Sequence, residues 1–339
     1  MSSNTEATVA PRPGGRSSGA PTIYDIARLA EVNPSTVSRA LSQPGRVNAK
    51  TAERIRVAAE QLNFRMNPSA RALPTGRTHT LALLVADITN PVVFGIIRGA
   101  AQEAAAHGYT LIIAESEESG EREATDAVRL IPSVDGVILA TTRLDDDAIR
   151  RLASSKPLVT INRDVGESVD SVLPDLTIGV DAAVAHLVEL GHDVIGYIPG
   201  PASSWISERR REAIEHAVDE RGATLVVFDH TSPTREGGAA ALDALISSPA
   251  TAVIGYNDMM MLGVLQEAAR HGIEIPERLS LIGFDDIFGS DFISPPLTTI
   301  RMPLFEAGRR AVRAILDSDG TDGLLPTELV LRASTGPRV

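Results

Sequence analysis

The segment TIYDIARLAEVNPSTVSRALSQPGRVNAKTAERIRVAAEQLNF, residues 22–64, decides how the rest of the chain is read. It encodes three short helices. Thr22 and Asp25 stand at capping-box spacing, where a hydroxyl and a carboxylate satisfy amides at a helix start. Ile23, Ile26, Ala27 and Ala30 then share one helical face. Val32-Asn33 breaks the pattern. Asn33 is the expected N-cap of a second helix, and Pro34 takes the first helical position, where a missing amide costs nothing. Val37, Ala40 and Leu41 form that helix's inner side, and Gln43-Pro44-Gly45 ends it. Asn48 opens a third helix with Ile55, Ala58, Ala59 and Leu62 facing inward. A short second helix, polar on its outer side, describes a helix-turn-helix. Small hydroxyls there let the backbone approach base edges, and Arg39 can fork onto guanine O6 and N7. A small helical protein-binding module fits the same pattern.

The 339 residues carry a net charge of −12, the wrong sign for nucleic acid. The charge is unevenly placed. Residues 1–77 hold 11 Arg and Lys against 5 Asp and Glu, whereas residues 78–339 hold 21 against 39. An acidic body repels phosphate, so DNA contact is expected from the basic first module alone. The absence of Cys excludes disulfides, thiol catalysis and Cys-ligated zinc. No apolar run approaches the roughly 18 residues of a membrane-spanning helix. Residues 1–21, rich in Ser, Pro, Gly and Thr, lack a signal peptide's apolar core and are expected to be a disordered tail. The expected location is cytoplasmic.

From His79 the rhythm changes. Short β-branched runs at 80–86, 109–115, 136–140, 157–162, 194–198, 224–228, 252–256 and 279–284 alternate with Ala-rich amphipathic stretches. That alternation predicts doubly wound parallel sheets, and the number of strands fits two sheets better than one. The break falls near 162–175, where the chain turns polar. A strand at 297–301, a helix at 303–317 and a strand at 328–332 are left over and can return the chain to each domain in turn. Enzyme signatures are missing: no G-x-G-x-x-G follows the first body strand, and no phosphate-binding loop, nucleophile elbow or H-E-x-x-H occurs. Asp285 and Asp286 do not make an acid–base pair, because neighbours at a strand end point in opposite directions. No catalytic residue, cofactor or metal is expected.

Thr22-Ile23-Tyr24-Asp25-Ile26-Ala27, Ser35-Thr36-Val37-Ser38-Arg39-Ala40-Leu41, Val47-Asn48-Ala49-Lys50-Thr51 and Leu62-Asn63-Phe64 resemble the DNA-binding headpiece of the lac repressor/galactose repressor family. Asn67-Pro68-Ser69-Ala70-Arg71-Ala72-Leu73 is similar to its hinge helix. In the body, Asp87-Ile88-Thr89-Asn90-Pro91, His186-Leu187 through Leu190-Gly191-His192, Asn257-Asp258, Gly283-Phe284-Asp285-Asp286 and Pro296-Leu297-Thr298-Thr299-Ile300 follow in the family's order. The resemblance thus spans residues 22–335.

It implies a homodimeric repressor that reads a pseudo-palindromic double-stranded DNA operator. Carried over position by position, Pro34, Ser35 and Arg39 face bases, and Thr22, Tyr24, Thr36, Ser38 and Arg46 complete the DNA-facing set. Asn67 and Ala70 line the minor groove, and Leu73 wedges a central base step and bends the duplex. Packing of Leu73 against the body is the alternative. Two positions depart from the family. Glu31 stands where Gly is usual, at a cost of roughly 1–2 kcal/mol if its φ is positive. Pro34 offers a base neither an amide nor a polar atom, so readout falls on Ser35, Arg39 and Arg46.

The resemblance also implies a division: headpiece 22–66, hinge helix and linker 67–78, and an effector-binding and dimerisation body 79–339. The fold class is α/β, a three-helix headpiece followed by a two-lobed body resembling periplasmic sugar-binding proteins. The N-lobe is expected at about 79–173 and 299–323, and the C-lobe at about 174–297 and 325–339, with crossovers near 174, 298 and 324. No heptad extension follows the last strand, which favours a dimer over a coiled-coil tetramer. A ligand in such a body sits at the carboxyl ends of the strands. Those ends carry Asp87 and Asn90, Asn162 and Arg163, Asn257 and Asp258, and Asp285 and Asp286. Phe94 stands nearby, and Trp205, Ser207 and Arg210 follow Gly200-Pro201. Carboxylates, amides and an Arg clamp vicinal hydroxyls, and the chain's single Trp can stack on a sugar's apolar face, so a sugar or polyol effector is expected. Asp258 and Asp286 also fit helix caps, Arg209 and Arg211 a solvated face, Trp205 lobe packing, and Phe94 a core position. The competing reading is a cytosolic sugar-binding or sugar-processing α/β protein with an unrelated helical appendage; a salt-dependent shift of duplex DNA separates the two.

Overall fold

A computed structural model describes residues 21–42, 45–64, 76–317 and 323–338. The chain divides after Gly76 into two compact units.

Among the described residues the first unit holds three helices, α1 (Ile23–Leu29), α2 (Pro34–Ser42) and α3 (Ala49–Gln61). The Asp25 carboxylate accepts the Thr22 amide at 3.0 Å and the Thr22 hydroxyl at 2.7 Å. Asn48 caps α3 through the Lys50 amide at 2.8 Å. Ile26, Ala27, Ala30, Val37, Ile55 and Ala58 are buried together, with Ala40, Leu41, Leu62 and Phe64 packed around them. Apart from Phe64, these are the inward positions that the helical periodicity assigned. The Leu of the predicted wedge, Leu73, lies outside the described residues, as do Asn67, Ala70 and the expected tail through residue 20.

Glu31, in the turn after α1, has φ of 51°. The left-handed region costs a side chain with a Cβ roughly 1–2 kcal/mol, and the exposed Arg54–Glu31 contact at 3.6 Å returns little. Glu31→Gly is therefore expected to stabilise the first unit by about 1 kcal/mol, the extra chain entropy of Gly taking back part of the gain. The check is amide exchange at buried Ile26 and Ile55 in the full chain, which should slow several-fold.

The second unit opens with β1 (Thr80–Val85), β2 (Thr110–Glu115), β3 (Gly136–Ala140), β4 (Leu158–Ile161) and β5 (Asp170–Val172). They form one sheet in the order β2-β1-β3-β4-β5, parallel throughout. The runs of β1, β3 and β4 are almost continuously apolar because helices cover both faces. After β6 (Pro174–Asp175) the chain builds the second sheet from β7 (Val194–Ile198), β8 (Thr224–Val227), β9 (Ala252–Gly255), β10 (Ser280–Asp285) and β11 (Thr298–Arg301). Past β12 (Leu325–Pro326) it closes with β13 (Glu328–Val330). The order is β13-β11-β10-β9-β7-β8, and only β13 runs antiparallel. Strand ends fall within two residues of expectation. β5 does not appear in the sequence reading, since only Val172 of its three residues is buried and the stretch reads as polar.

The second lobe boundary needs correction. The sequence reading returns the chain to the N-lobe at 299, but Thr298–Arg301 is paired within the second sheet, Ile282 against Thr298 and Asp285 against Arg301. The crossing comes after Arg301. The Leu304–Asp317 helix that follows packs on the first sheet, with Ala307, Ala311 and Val312 buried among Leu81, Leu83 and Ile96. The other two crossings lie side by side, Leu325 paired with Pro174 and Pro326 with Asp175.

Candidate nucleic-acid interface and ligand cleft

In the first unit, α2 turns Val37 inward and leaves Ser35, Ser38 and Arg39 exposed, with Pro34 and Thr36 partly covered. Thr22, Arg46 and Lys50 are exposed, and Tyr24 is 65% exposed. Arg28 is held by Asp25 at 2.9 Å, and Arg56 by Glu53 and Glu60. Among the described residues Arg39, Arg46 and Lys50 have no acidic partner. Three unpaired cations around a short helix with an outward hydroxyl edge form a surface complementary to phosphate and base edges.

In the second unit the carboxyl ends of the strands of both sheets converge on a cleft. Here the backbone is repeatedly left-handed without glycine: φ is 59° at Glu118, 55° at Thr141, 60° at Asn162, 105° at Asp285 and 54° at Asp286. Such conformations cost energy and cluster where a side chain must be aimed. Asp87, Asn90, Glu118, Thr141, Arg143 and Asn162 contribute from the N-lobe. Ile206, Arg210, Pro233, Tyr256, Asn257 and Asp285 contribute from the C-lobe. The cavity between them measures about 30 Å³. Ligand sites usually span about 300–1,000 Å³, so the cavity in this conformation is smaller than a usual ligand site.

Arg210 forms the cleft floor. Its side chain and that of Asp285 are each 4% exposed, and Nη2 donates to Asp285 Oδ1 at 2.7 Å. Nη1 donates to the Tyr256 carbonyl. The guanidinium lies 4.9 Å from the Tyr256 ring centre and 4.4 Å from that of Phe284. Nε is buried without a hydrogen-bond partner among the described residues. A planar cation held on two rings with one donor unspent can donate to a further oxygen acceptor. Across the cleft Arg143, with a side chain only 5% exposed, is held by Glu118 at 2.6 Å. Asn257 accepts the Met260 amide at 2.9 Å and donates to the Pro233 carbonyl at 3.0 Å, so it caps its helix as well as lining the cleft.

Four expected ligand contacts do not line the cavity. Arg163 turns away to Asp146 at 2.5 Å. Phe94 is 45% exposed, one position past the cavity-lining Val92 and Val93. Trp205 packs on the C-lobe core under Arg209, whose guanidinium lies 5.6 Å from the indole. Ser207 Oγ accepts the Gly200 amide at 3.0 Å. Nor is Asp286 a helix cap; it binds Arg301 and Arg332 at 2.7 and 2.5 Å. Asp258, fully buried, accepts from Thr299 Oγ1 at 2.6 Å and the Ile287 amide at 2.9 Å. Burial, with the nearby Asp285 charge adding to it, pushes its carboxyl well above the ordinary range. The sequence reading passed over Glu118, Thr141, Arg143 and Tyr256. The strand-end rule that found Asp87 and Asn162 reaches Glu118 and Thr141 when applied to β2 and β3 as well.

Residues 22–67 match the family described as bacterial regulatory proteins, lacI family, and residues 184–335 match a periplasmic binding protein-like domain. The HTH-type transcriptional repressor CytR of Escherichia coli K12 is 34% identical over 330 residues, 93% of this chain and 96% of its own. The ribose operon repressor of Haemophilus influenzae is 32% identical over 303 residues, 87% of this chain and 91% of its own. Among solved structures, the lac repressor dimer bound to operator and the anti-inducer ONPF superposes with a TM-score of 0.85 at 25% identity, covering 94% of this chain and all of that one. A LacI family transcriptional regulator from Enterococcus faecium with bound ribose gives 0.67 at 30% identity, covering 76% of this chain and 99% of that one. Among the described residues no helix is long and apolar enough to cross a membrane.

Proposed function

The chain belongs to the lacI family of bacterial regulatory proteins and is a DNA-binding transcription regulator, and from that premise we propose that it is a repressor which binds a pseudo-palindromic operator as a homodimer and changes its hold when a sugar or polyol binds between the lobes. The observation that carries the ligand half is the buried Arg210–Asp285 floor with its unspent Nε donor. Vicinal hydroxyls suit it: Asp285 accepts, Arg210 donates, and Asn162 and Asn257 do both. Because the cavity between the lobes is smaller than a usual ligand site, ligand binding is linked to lobe angle, and ligand and operator affect each other's affinity by the same factor, typically 1–3 kcal/mol. The repressor acts in the cytoplasm, where its operator lies.

A thermal-shift screen of pentoses, hexoses, polyols and nucleosides on the full chain tests the ligand half. A compound at 100 times its dissociation constant adds about 2.7 kcal/mol to the unit that binds it. No shift from any compound in the panel would sink the sugar-or-polyol reading.

Arg39 tests the DNA half. It is exposed, unpaired among the described residues and placed on the outer side of α2. Arg39→Ala should weaken operator binding by about 1–3 kcal/mol and relax preference at one base pair per half-site. Binding-site selection with the variant reads this directly, and an unchanged consensus would remove Arg39 from base readout.

A further inference from the structure

Asp285 and Asp286 are consecutive, both left-handed, and face different partners. Asp285 holds Arg210 in the cleft. Asp286 turns to where the chain leaves and re-enters the C-lobe. Its Oδ2 accepts from Arg301 Nε at 2.7 Å and its Oδ1 from Arg332 Nη2 at 2.5 Å. Arg301 is the last residue of β11, directly before the crossing to the N-lobe, and it also pairs with Glu328, just after the return crossing. Arg332 is further tied to the Leu297 carbonyl at 2.7 Å. Thr327 completes the knot, donating to the Asp175 carbonyl at 2.6 Å and accepting the Gly179 amide at 3.0 Å, so the first crossing is bound to the third. The turn carrying the two acids is braced from beneath by Asp258 through the Ile287 amide. Arg332 and Arg301 hold the Asp286 carboxyl below its usual range although burial works the other way, so it stays charged and gripped.

We propose that Asp286 is the positioning residue that couples the ligand cleft to the lobe crossovers: the strained Asp285–Asp286 turn converts a change at Arg210–Asp285 into movement of Arg301, Arg332 and the segments they hold. A turn held at φ of 105° and 54° has little freedom to absorb a displacement of one side chain without moving the next. The proposal rests on the reading of Asp285 as a cleft residue, but its test needs no ligand, so a failed ligand screen and a failed coupling are told apart.

The experiment is hydrogen–deuterium exchange on the full chain in a double-mutant cycle. The reporters are the Leu304 amide, which donates to the Met302 carbonyl at 2.8 Å, and the Leu325 amide, which donates to Leu173 at 2.9 Å. Both are referenced to Val253 in the core of the C-lobe sheet, which removes any global loss of stability. Asp285→Asn perturbs the cleft while keeping an acceptor for Arg210 and a residue that tolerates positive φ. In the otherwise native chain it should raise exchange at both reporters about threefold or more relative to Val253. In the Asp286→Asn background the same change should add nothing. Arg301→Gln, at a half-exposed position, cuts the link from the other end and should likewise abolish the response, which keeps the test valid if Asp286→Asn folds poorly. An equal rise in all backgrounds, or no rise at the crossovers in the native one, overturns the assignment.

Discussion

Arg210→Ala should destabilise the body by about 3–5 kcal/mol and at the same time erase any thermal shift from the cleft ligand. The size follows from burial. Arg210 and Asp285 are each 4% exposed, and Arg210 is the one cation paired with the Asp285 carboxylate among the described residues, so removing it strands a buried carboxylate. The alanine also leaves the faces of Tyr256 and Phe284 without the group that fills the space between them. The loss of stability alone does not identify a ligand site, because any buried ion pair behaves this way. The distinguishing variant removes both charges. Arg210→Met with Asp285→Asn keeps most of the volume and leaves no uncompensated charge, so it should recover the larger part of the lost stability while remaining unresponsive to the ligand. Urea denaturation with and without the compound found in the screen separates the two effects. A double variant that is stable and still shifts would move the ligand site away from Arg210. One that stays as unstable as the single variant would show that packing of the guanidinium between the rings, rather than its charge, dominates.

The residues of the cleft show how far the sequence could be read. Periodicity recovered the three helices of the headpiece because their inward positions repeat at helical spacing and their ends carry local signals, such as Thr22, Pro34 and Asn48. Strand ends near Asp87, Asn162, Asn257 and Asp285 were legible for the same reason: buried parallel strands are short apolar runs with abrupt polar ends. Side-chain direction was not legible from strand ends. Asn162, left-handed just past the end of β4, faces the cavity, but its neighbour Arg163 turns to Asp146, whereas the consecutive Tyr256 and Asn257 both line the cleft. On the Trp205–Glu220 helix the information was present and unused. If Arg210 faces the cleft, helical spacing brings Ile206 with it, four positions back, and turns Trp205 aside, while Ser207, three back, stays on that side but spends its hydroxyl on the Gly200 amide. The structure has this arrangement. The crossover after Arg301 was misplaced because a short apolar strand carries no mark of which sheet it joins; only its pairing with β10 and β13 decides that.

The junction just beyond that crossover yields the second large effect. Gly99→Ala should destabilise the N-lobe by about 3 kcal/mol or more, at or above the upper end of ordinary overpacking. Helix propensity predicts the opposite sign, since Gly in a helix interior costs about 0.5–1 kcal/mol relative to Ala. Packing wins here because the Val92–Ala106 and Leu304–Asp317 helices meet backbone to backbone. A Cβ on Gly99 would stand 1.9 Å from the Phe305 carbonyl oxygen, and one on Gly308 would stand 2.2 Å from that of Ile96. A carbonyl cannot swing aside as a side chain can, so one helix must move. It is also pinned from the other end, where Glu103 accepts from Arg309 and Arg313 at 2.9 Å each. The helix that must yield begins at Leu304, the first helical residue after the chain has crossed between lobes, so the displacement is delivered at the crossover itself. Gly99→Ala should therefore lower the urea midpoint and also raise amide exchange at Leu304 beyond what the stability loss explains. Ala101→Gly, at an exposed site on the same helix, provides the control: it should cost only about 1 kcal/mol from propensity and leave the crossover amide unmoved. If Gly99→Ala instead raised the midpoint, the close approach of the two helices would not exist in solution, and the crossover would be free of the constraint that the Gly99–Phe305 contact imposes.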